Sequence, residues 1–298
     1  VDPAVMAALE ACCDLAPLHN PPNLAGIRAC LAALPGVPNV AVFDNTLHHT
    51  IAPEVYLYGL PRRFHTAHRV RRYGFHGIAF RSMLAETERV LGQPVAPLRL
   101  VLLMLGSGCT ANAQRDGQSI AVSTGFTPLE GLVQSTRCGD LDPGAVIALL
   151  RAGYSPAELN DLFNRGSGLK GLSGLSADLR DIETADTPAA RLAEDVFIHR
   201  AIKYVGGYTA ELGGLDVLVF GGGIGQHAAE VRARICEPFQ HLGLRLDSTA
   251  NQELPRGASG CISSGSSGVR VVVAAVDEER VIARECHTVV TSAQHLRA

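Results

Sequence analysis

Residues 215–232, LDVLVFGGGIGQHAAEVR, narrow the choice of fold more than any other stretch of the chain. Asp216–Phe220 reads as a short apolar strand, Gly221–Gly225 as a glycine turn and Ala228–Leu242 as a helix. An apolar run of that length between turn signals suits a buried strand, and strand–turn–helix is the unit of an α/β fold. Backbone N–H groups at a helix start attract phosphate, and glycine lets a ligand come close. Residues 103–110, LMLGSGCT, repeat the strand-then-glycine pattern. A plain tight turn explains each stretch as well. Gly223, Gly225 and Ala228 also satisfy G-x-G-x-x-A, with Asp247 downstream, so a dinucleotide-binding reading stays open here. That motif usually sits in the first βαβ unit of its domain, and here it comes late.

The rest of the chain reads as alternating helices and strands. Helical patterns cover Ala4–Leu15, Asn23–Leu34, Ile78–Val90, Asp142–Ala152, Pro156–Arg165, Asp186–Leu212 and Asp277–Val289. Asp142-Pro143 is a helix-start signal. In the longest helix Leu192, Val196, Ile202 and Val205 are expected to share a face. Val40–Phe43, Leu98–Leu105, Leu244–Asp247 and Val269–Val276 read as strands, and Thr249–Gly268 as a loop. Thr110–Gln114 and Gln118–Thr124 are expected to form a hairpin around Asp116-Gly117.

Composition excludes some functions. With 298 residues the chain fits one large domain or two ordinary ones. Its net charge of −3 leaves no footprint for nucleic acid, and its apolar runs are too short to span a membrane. Only Lys170 and Lys203 are lysine, so arginine carries the positive charge; codon bias explains this as readily as carboxylate or phosphate recognition. The eight cysteines form no CxxC pair, and no secretory leader is read before them, so a reduced, cytoplasmic protein is expected.

Residues 125–144, GFTPLEGLVQSTRCGDLDPG, hold four glycines, two prolines, one arginine and three acids, with little periodicity. Arg137 sits among the glycines, where a forked guanidinium can meet phosphoryl oxygens; a solvated loop arginine is the plainer alternative. His76, in RRYGFHG, is either a structural histidine or a catalytic one. Asp44 ends a strand, where a carboxylate holds Mg²⁺ near phosphates or caps the next segment. His48, His49, His65 and His68 lack the spacing of a zinc site.

Together these pieces resemble the acetate kinase, or acetokinase, family. The matching stretches are APLHNPPNLAGI (16–27), VFDNTLHHT (42–50), VYLYGLP (55–61), RRYGFHG (71–77), GFTPLEG with STRCGDLDP (125–143), NRGSGLKGLSGLSADLRDI (164–182), LDVLVFGGGIG with EVRARICE (215–237) and DEERVIAR (277–284). No dehydrogenase pattern explains the other blocks, so the G-x-G-x-x-A match loses its force. The resemblance implies an actin-like, sugar-kinase-like (ribonuclease H-like) α/β fold of two domains, the first lobe incomplete. Residues 1–47 with the C-terminal helix 281–298 would be what remains of the N-terminal lobe, and 48–280 the nucleotide-binding and dimerisation lobe. It also implies a homodimer and Mg²⁺-assisted phosphoryl transfer from ATP to acetate or a short homologue, giving ADP and an acyl phosphate.

By resemblance, Arg137 and His76 stabilise the moving phosphoryl group and His19 helps from the opposite wall. Asp44 organises Mg²⁺ or the phosphate environment, with Glu278 or Glu279 as the second metal-side carboxylate. Leu18, Phe75 and Pro128 form the acyl pocket. Asp178 and Arg180 are nucleoside contacts, Gly222, Gly223 and Gly225 the adenine-side turn, and Gly106 and Gly108 the phosphate-side turn.

The sequence also departs from the family pattern. The opening strand with its Asn-Ala-Gly-Ser-Ser-Ser loop and a later substrate-side Arg do not occur, roughly the first quarter of the family's length. An open sheet edge beside Val40–Phe43 is therefore expected. Met104 and Ser107 stand where the family has His and Asn, and Phe80 where it has His. Gln226-His227 and Val276-Asp277 replace Glu-Asn and Thr-Asn. These departures leave a second possibility, a catalytically impaired nucleotide-binding remnant or a fragment of a longer acetate kinase.

Overall fold

The computed structural model describes residues 1–15 and 19–295. The chain divides into two compact units, Val1–Phe43 with Glu278–Ala298, and Asp44–Asp277. In the first unit the helices Pro3–Glu10 and Asn20–Ala33 pack on each other, and Glu278–His295 forms a third helix. Val40–Phe43 is not a strand, against expectation. A strand exists only through a ladder partner, and the one sheet among the described residues is built from other segments. Phe43 is left 44 % exposed.

That sheet fills the centre of the second unit. Its strands are β1 (Leu100–Leu105), β2 (Cys109–Arg115), β3 (Gln118–Val122), β4 (Val217–Gly221), β5 (Gly260–Cys261) and β6 (Arg270–Val273), in spatial order β3-β2-β1-β4-β6-β5. β1, β4 and β6 run parallel in the middle, and antiparallel strands flank them. The hairpin between β2 and β3 turns at Asp116 (φ 53°) and Gly117 (φ 71°), the two positive angles of a type I′ turn.

Side chains alternate across the parallel strands, so each face has its own core. Val101, Leu103, Leu218, Phe220, Val271 and Val273 face one way. They pack with Phe197, Ala201 and Val205 of the helix Pro188–Leu212. Leu100, Leu102, Val217, Val219 and Val272 face the other way, onto Phe80 and Met83 of the helix Gly77–Leu91. Phe80 is fully buried there, which explains an apolar residue where the family pattern has histidine. Leu192 does not join the face expected of it. It is 56 % exposed, and Ala190, Ala193 and Phe197 supply the buried stripe instead.

Other boundaries differ for local reasons. The glycine turn expected at 221–225 is shorter, because β4 runs to Gly221 and a helix Gly222–His227 starts at once. The expected loop 249–268 contains a helix, Ser248–Glu253, and strand β5. Asp247 caps that helix by accepting from Ala250 N at 3.0 Å, which gives its carboxylate a local task unrelated to ribose. Leu244–Asp247 makes only isolated bridges, Leu244 to Val269 and Leu246 to Ser263.

Candidate active site

The parallel pairing sets Met104 beside Gly221, so the glycine turns that follow β1 and β4 are neighbours. A Cβ built on Gly106 would lie 3.9 Å from Gly223 N. This is the carboxyl end of a parallel sheet, where open α/β folds bind ligands. Gly222 is held in place by its own requirement: its φ is +76°, and a Cβ there would meet Leu105 O at 2.5 Å.

A cleft of about 830 Å³ opens over these turns. Gly106, Ser107, Asp178, Arg180, Gly223 and Arg232 are among its walls. Four of the seven residues expected at the nucleotide thus line one cavity. Gly222 and Gly225 shape the turn from behind, and Gly108 packs against His76, whose Nε2 would be 3.3 Å from a Cβ built there. Asp178 caps the helix Leu179–Ala185, accepting from Arg180 N at 3.0 Å, and pairs with the Arg180 guanidinium at 2.5 Å. Those hydrogen bonds hold the Asp178 carboxyl down to about 2.

Arg137 stands on a laced loop. Ser135 N donates to Ser107 O at 3.2 Å, joining this loop to the turn after β1. Leu169 N donates to Gln134 O at 2.9 Å and Ser167 N to Thr136 O at 3.0 Å. The close approach needs Gly168, with φ +64°, where a Cβ would meet Gln134 O at 2.1 Å. The half-buried Arg137 guanidinium donates to Gln134 Oε1 at 3.2 Å and has no acidic partner among the described residues. Burial lowers its pKa, and it remains a cation. Gln134 Nε2 in turn donates to Pro128 O at 2.6 Å, tying GFTPLEG to the arginine loop.

His76 opens the helix Gly77–Leu91 in the left-handed conformation, with φ 60°. Its N–H donates to Asp44 Oδ2 at 2.8 Å, while Ile78 N donates to Asp44 Oδ1 at 3.2 Å and Gly77 N to Asp44 O at 2.7 Å. Asp44 therefore closes the start of this helix and fixes the His76 backbone. The imidazole Nδ1 is 2.9 Å from Thr110 Oγ1. Burial is the main cause that lowers the His76 pKa; Asp44 opposes it and Arg137 adds to it.

Residues 1–284 match the family model described as the acetokinase family. The chain belongs to that family. An acetate kinase of Desulfitobacterium hafniense is 45 % identical over 284 residues, 94 % of this chain and 70 % of that protein. The crystal structure of the Porphyromonas gingivalis acetate kinase superposes with a TM-score of 0.93 at 41 % identity, over 97 % of this chain and 73 % of that one. A propionate kinase from Francisella tularensis superposes with a TM-score of 0.89 at 35 % identity, over 96 % and 73 %. The actin-like α/β kinase fold and membership of a phosphotransferase family follow.

Within the acetokinase pattern, the structure also shows residues that motif reading left without a role. Arg232, inside the EVRARICE stretch, is 2 % exposed. It donates to Gly225 O at 3.0 Å, Gln226 O at 2.9 Å, and Asn251 Oδ1 and O at 2.8 and 2.6 Å. These bonds pin the glycine turn from beneath, and burial lowers the Arg232 pKa to about 10. The signal available was an arginine at a fixed distance after the glycines. Gln134 had no such signal, because its role depends on how three loops meet.

Other expected residues fall elsewhere. His19 is exposed at the N-cap of the helix Asn20–Ala33, and Glu278 and Glu279 open the helix Glu278–His295, all in the first unit. Leu18 lies outside the described residues. Phe75 is held by its backbone: its N–H donates to Thr124 Oγ1 at 3.0 Å and its carbonyl meets His48 Nε2 at 3.0 Å. His48 is a buried core histidine, with its pKa lowered to about 4. The departures at the turn are also visible. Met104 packs with the Phe80 core, and Ser107 lines the cleft and takes Ser135 N on its carbonyl.

Proposed function

We propose that this chain transfers the γ-phosphoryl group of ATP to acetate or a close homologue, giving ADP and an acyl phosphate. One carboxylate oxygen of the acid bonds to the γ-phosphorus as the bond to the β-phosphate oxygen breaks and ADP leaves. A carboxylic acid titrates near pH ~4, so its carboxylate is already the nucleophile at neutral pH and no general base is required. The catalytic task is alignment of two anions and stabilisation of the charge on the moving group.

The observation that carries this reading is Arg137, a half-buried guanidinium without an acidic partner among the described residues, mounted beside the glycine turns of the cleft. A cation held that way is ready for phosphoryl oxygens. Burial favours the neutral form of His76; in the tautomer whose Nδ1 accepts from Thr110, the Nε2–H is left as a donor. Gly106, Gly223, Asp178 and Arg180 hold the nucleotide in the cleft. Phe75 and Pro128 face the acyl tail.

The donor set fits a Mg²⁺ carried in by the nucleotide. Among the described residues no cluster of three or more His, Cys, Asp or Glu could hold a resident ion. Asp44 keeps lone pairs beyond its two N–H bonds and is the carboxylate nearest the His76 backbone. An ion kept mainly by phosphates and water needs only one or two carboxylates, and supplies charge neutralisation at the phosphates. We further infer a homodimer and a cytoplasmic setting. The eight free thiols suit a reducing compartment, and no helix among the described residues is long and apolar enough to cross a membrane.

The impaired-remnant alternative is the weaker reading, because the family match runs over residues 1–284. The test is ADP formation from ATP and Mg²⁺ with formate, acetate, propionate or butyrate supplied in turn. Carboxylate-dependent ADP release is expected, greatest with acetate or propionate. ADP release that ignores the added acid would overturn the reading.

A further inference from the structure

Behind His76 runs a buried chain of polar side chains that the phosphoryl-transfer reading does not use. Gln114 Nε2 donates to Asn112 Oδ1 at 2.6 Å. Asn112 Nδ2 donates to Ser119 Oγ at 2.7 Å and to Ala121 O at 2.8 Å. Ser119 Oγ lies 2.9 Å from His48 Nδ1, and His48 Nε2 lies 3.0 Å from Phe75 O. Gln114, Asn112, Ser119 and His48 are each no more than 1 % exposed.

The chain has one polarity. A carbonyl can only accept, so the proton of His48 must sit on Nε2 and point at Phe75 O. Nδ1 then accepts from the Ser119 hydroxyl, and Ser119 Oγ accepts from Asn112. Each donor is fixed by the next acceptor, starting from the Phe75 carbonyl. The last acceptor, Gln114 Oε1, has no partner among the described residues. A buried polar row of this kind is costly unless its members are paired, so its presence calls for a task.

Its endpoint names that task. Phe75 is the residue before His76. Its carbonyl is taken by His48, its N–H by Thr124 Oγ1, and the next N–H by Asp44 Oδ2. His76 is a non-glycine residue at φ 60°, a conformation that needs outside support. We propose that His48 is a positioning residue for phosphoryl transfer, fixing through the Phe75 carbonyl the backbone that aims the His76 ring. The proposal rests on the kinase reading for its catalytic consequence. His48 itself touches neither the nucleotide nor the acid. Its low pKa keeps it neutral and its polarity fixed across the working pH range.

Two substitutions separate positioning from mere packing. In His48→Gln the amide nitrogen sits near the position of Nε2 and keeps the donation to Phe75 O. In His48→Asn only the contact at the Nδ1 position survives. We expect kcat to fall roughly ten- to hundredfold in His48→Asn, with KM for ATP within about twofold, and most of the loss to be recovered in His48→Gln. Long-range ¹H–¹⁵N spectra of the imidazoles give a readout without turnover. Wild-type His48 should be the Nε2–H tautomer from pH 5.5 to 8.5, and the His76 titration should move toward the ordinary imidazole value in His48→Asn but not in His48→Gln. Ser119→Ala, which keeps the histidine, covers the case in which His48→Asn does not fold; there His76 should shift in the same direction. An Nδ1–H tautomer, or equal effects of Gln and Asn on His76, would overturn the proposal. An inactive wild type with the predicted spectra would instead count against the kinase reading.

Discussion

The Asp44 carboxylate accepts the backbone N–H of His76 at 2.8 Å and that of Ile78 at 3.2 Å, so the residue expected at the metal also builds the mount of the histidine proposed to act on the phosphoryl group. The two roles separate on mutation. Asp44→Asn keeps an acceptor for the helix start, whereas Asp44→Ala removes it. Loss of a cap costs about 1 kcal/mol, so thermal melts should show Asp44→Ala less stable by about that amount and Asp44→Asn close to wild type. If both variants retain full kcat, Asp44 is a cap and nothing more.

Arg137 makes the opposite prediction, a large effect on rate and little on stability. Its guanidinium has no carboxylate to lose among the described residues. Arg137→Ala should reduce kcat by roughly 10²–10³, the scale seen when one donor to a transition-state oxyanion is removed, with an unchanged melting temperature. Arg137→Lys should recover part of the charge but not the fork, and remain well below wild type.

Gly222→Ala tests the turn. The added Cβ meets the Leu105 carbonyl at 2.5 Å in a backbone region L residues avoid. The turn must shift, and nucleotide binding with it. ADP should raise the melting temperature of the wild type by mass action, and that increment should shrink or vanish in the variant. An unchanged increment would mean that this turn does not contact the nucleotide.

His48 sets a pH dependence. Burial lowers its pKa to about 4, against about 6.5 for an imidazole in water. The unfolded chain then binds more protons than the folded one between those values. Stability is full above about pH 6.5, falls as pH drops through that window, and levels off below about 4. The gap between those two values corresponds to a contribution of roughly 3 kcal/mol. In urea melts at pH 7.5 and 4.5, His48→Gln should lose less stability than wild type. Identical losses would place the acid sensitivity at other groups.

Legibility in the sequence followed the range of the interactions. The apolar runs at 100–105 and 269–276 mark β1 and β6 because strands buried on both faces need continuous apolar residues. Asp116-Gly117 marks its hairpin because positive φ angles restrict the residue types. Asp142-Pro143 marks the helix start that Asp142 caps, accepting from Gly144 N at 2.8 Å. Leu192 misled because hydrophobic spacing does not say which side of a long helix meets the sheet. Ser248–Glu253 was hidden in a Gly/Ser-rich stretch whose helix rests on the Asp247 cap and on Arg232 gripping Asn251. Within the site, glycines and charged residues stood out by type. Gln134, Asn112 and Ser119 did not: the Gln134 amide takes its meaning from a loop path that brings Pro128 O and Arg137 to it, and Asn112 and Ser119 from the strand pairing that sets them beside each other and His48.

The most direct test of the whole account is acyl-phosphate formation itself. The purified chain, with ATP, Mg²⁺ and acetate, should yield acetyl phosphate trapped as the hydroxamate, and Arg137→Ala should yield almost none while its ADP-induced rise in melting temperature persists. Hydroxamate formed equally by both proteins would contradict the role of Arg137. A wild type that is stabilised by ADP yet forms no hydroxamate would contradict phosphoryl transfer by this chain.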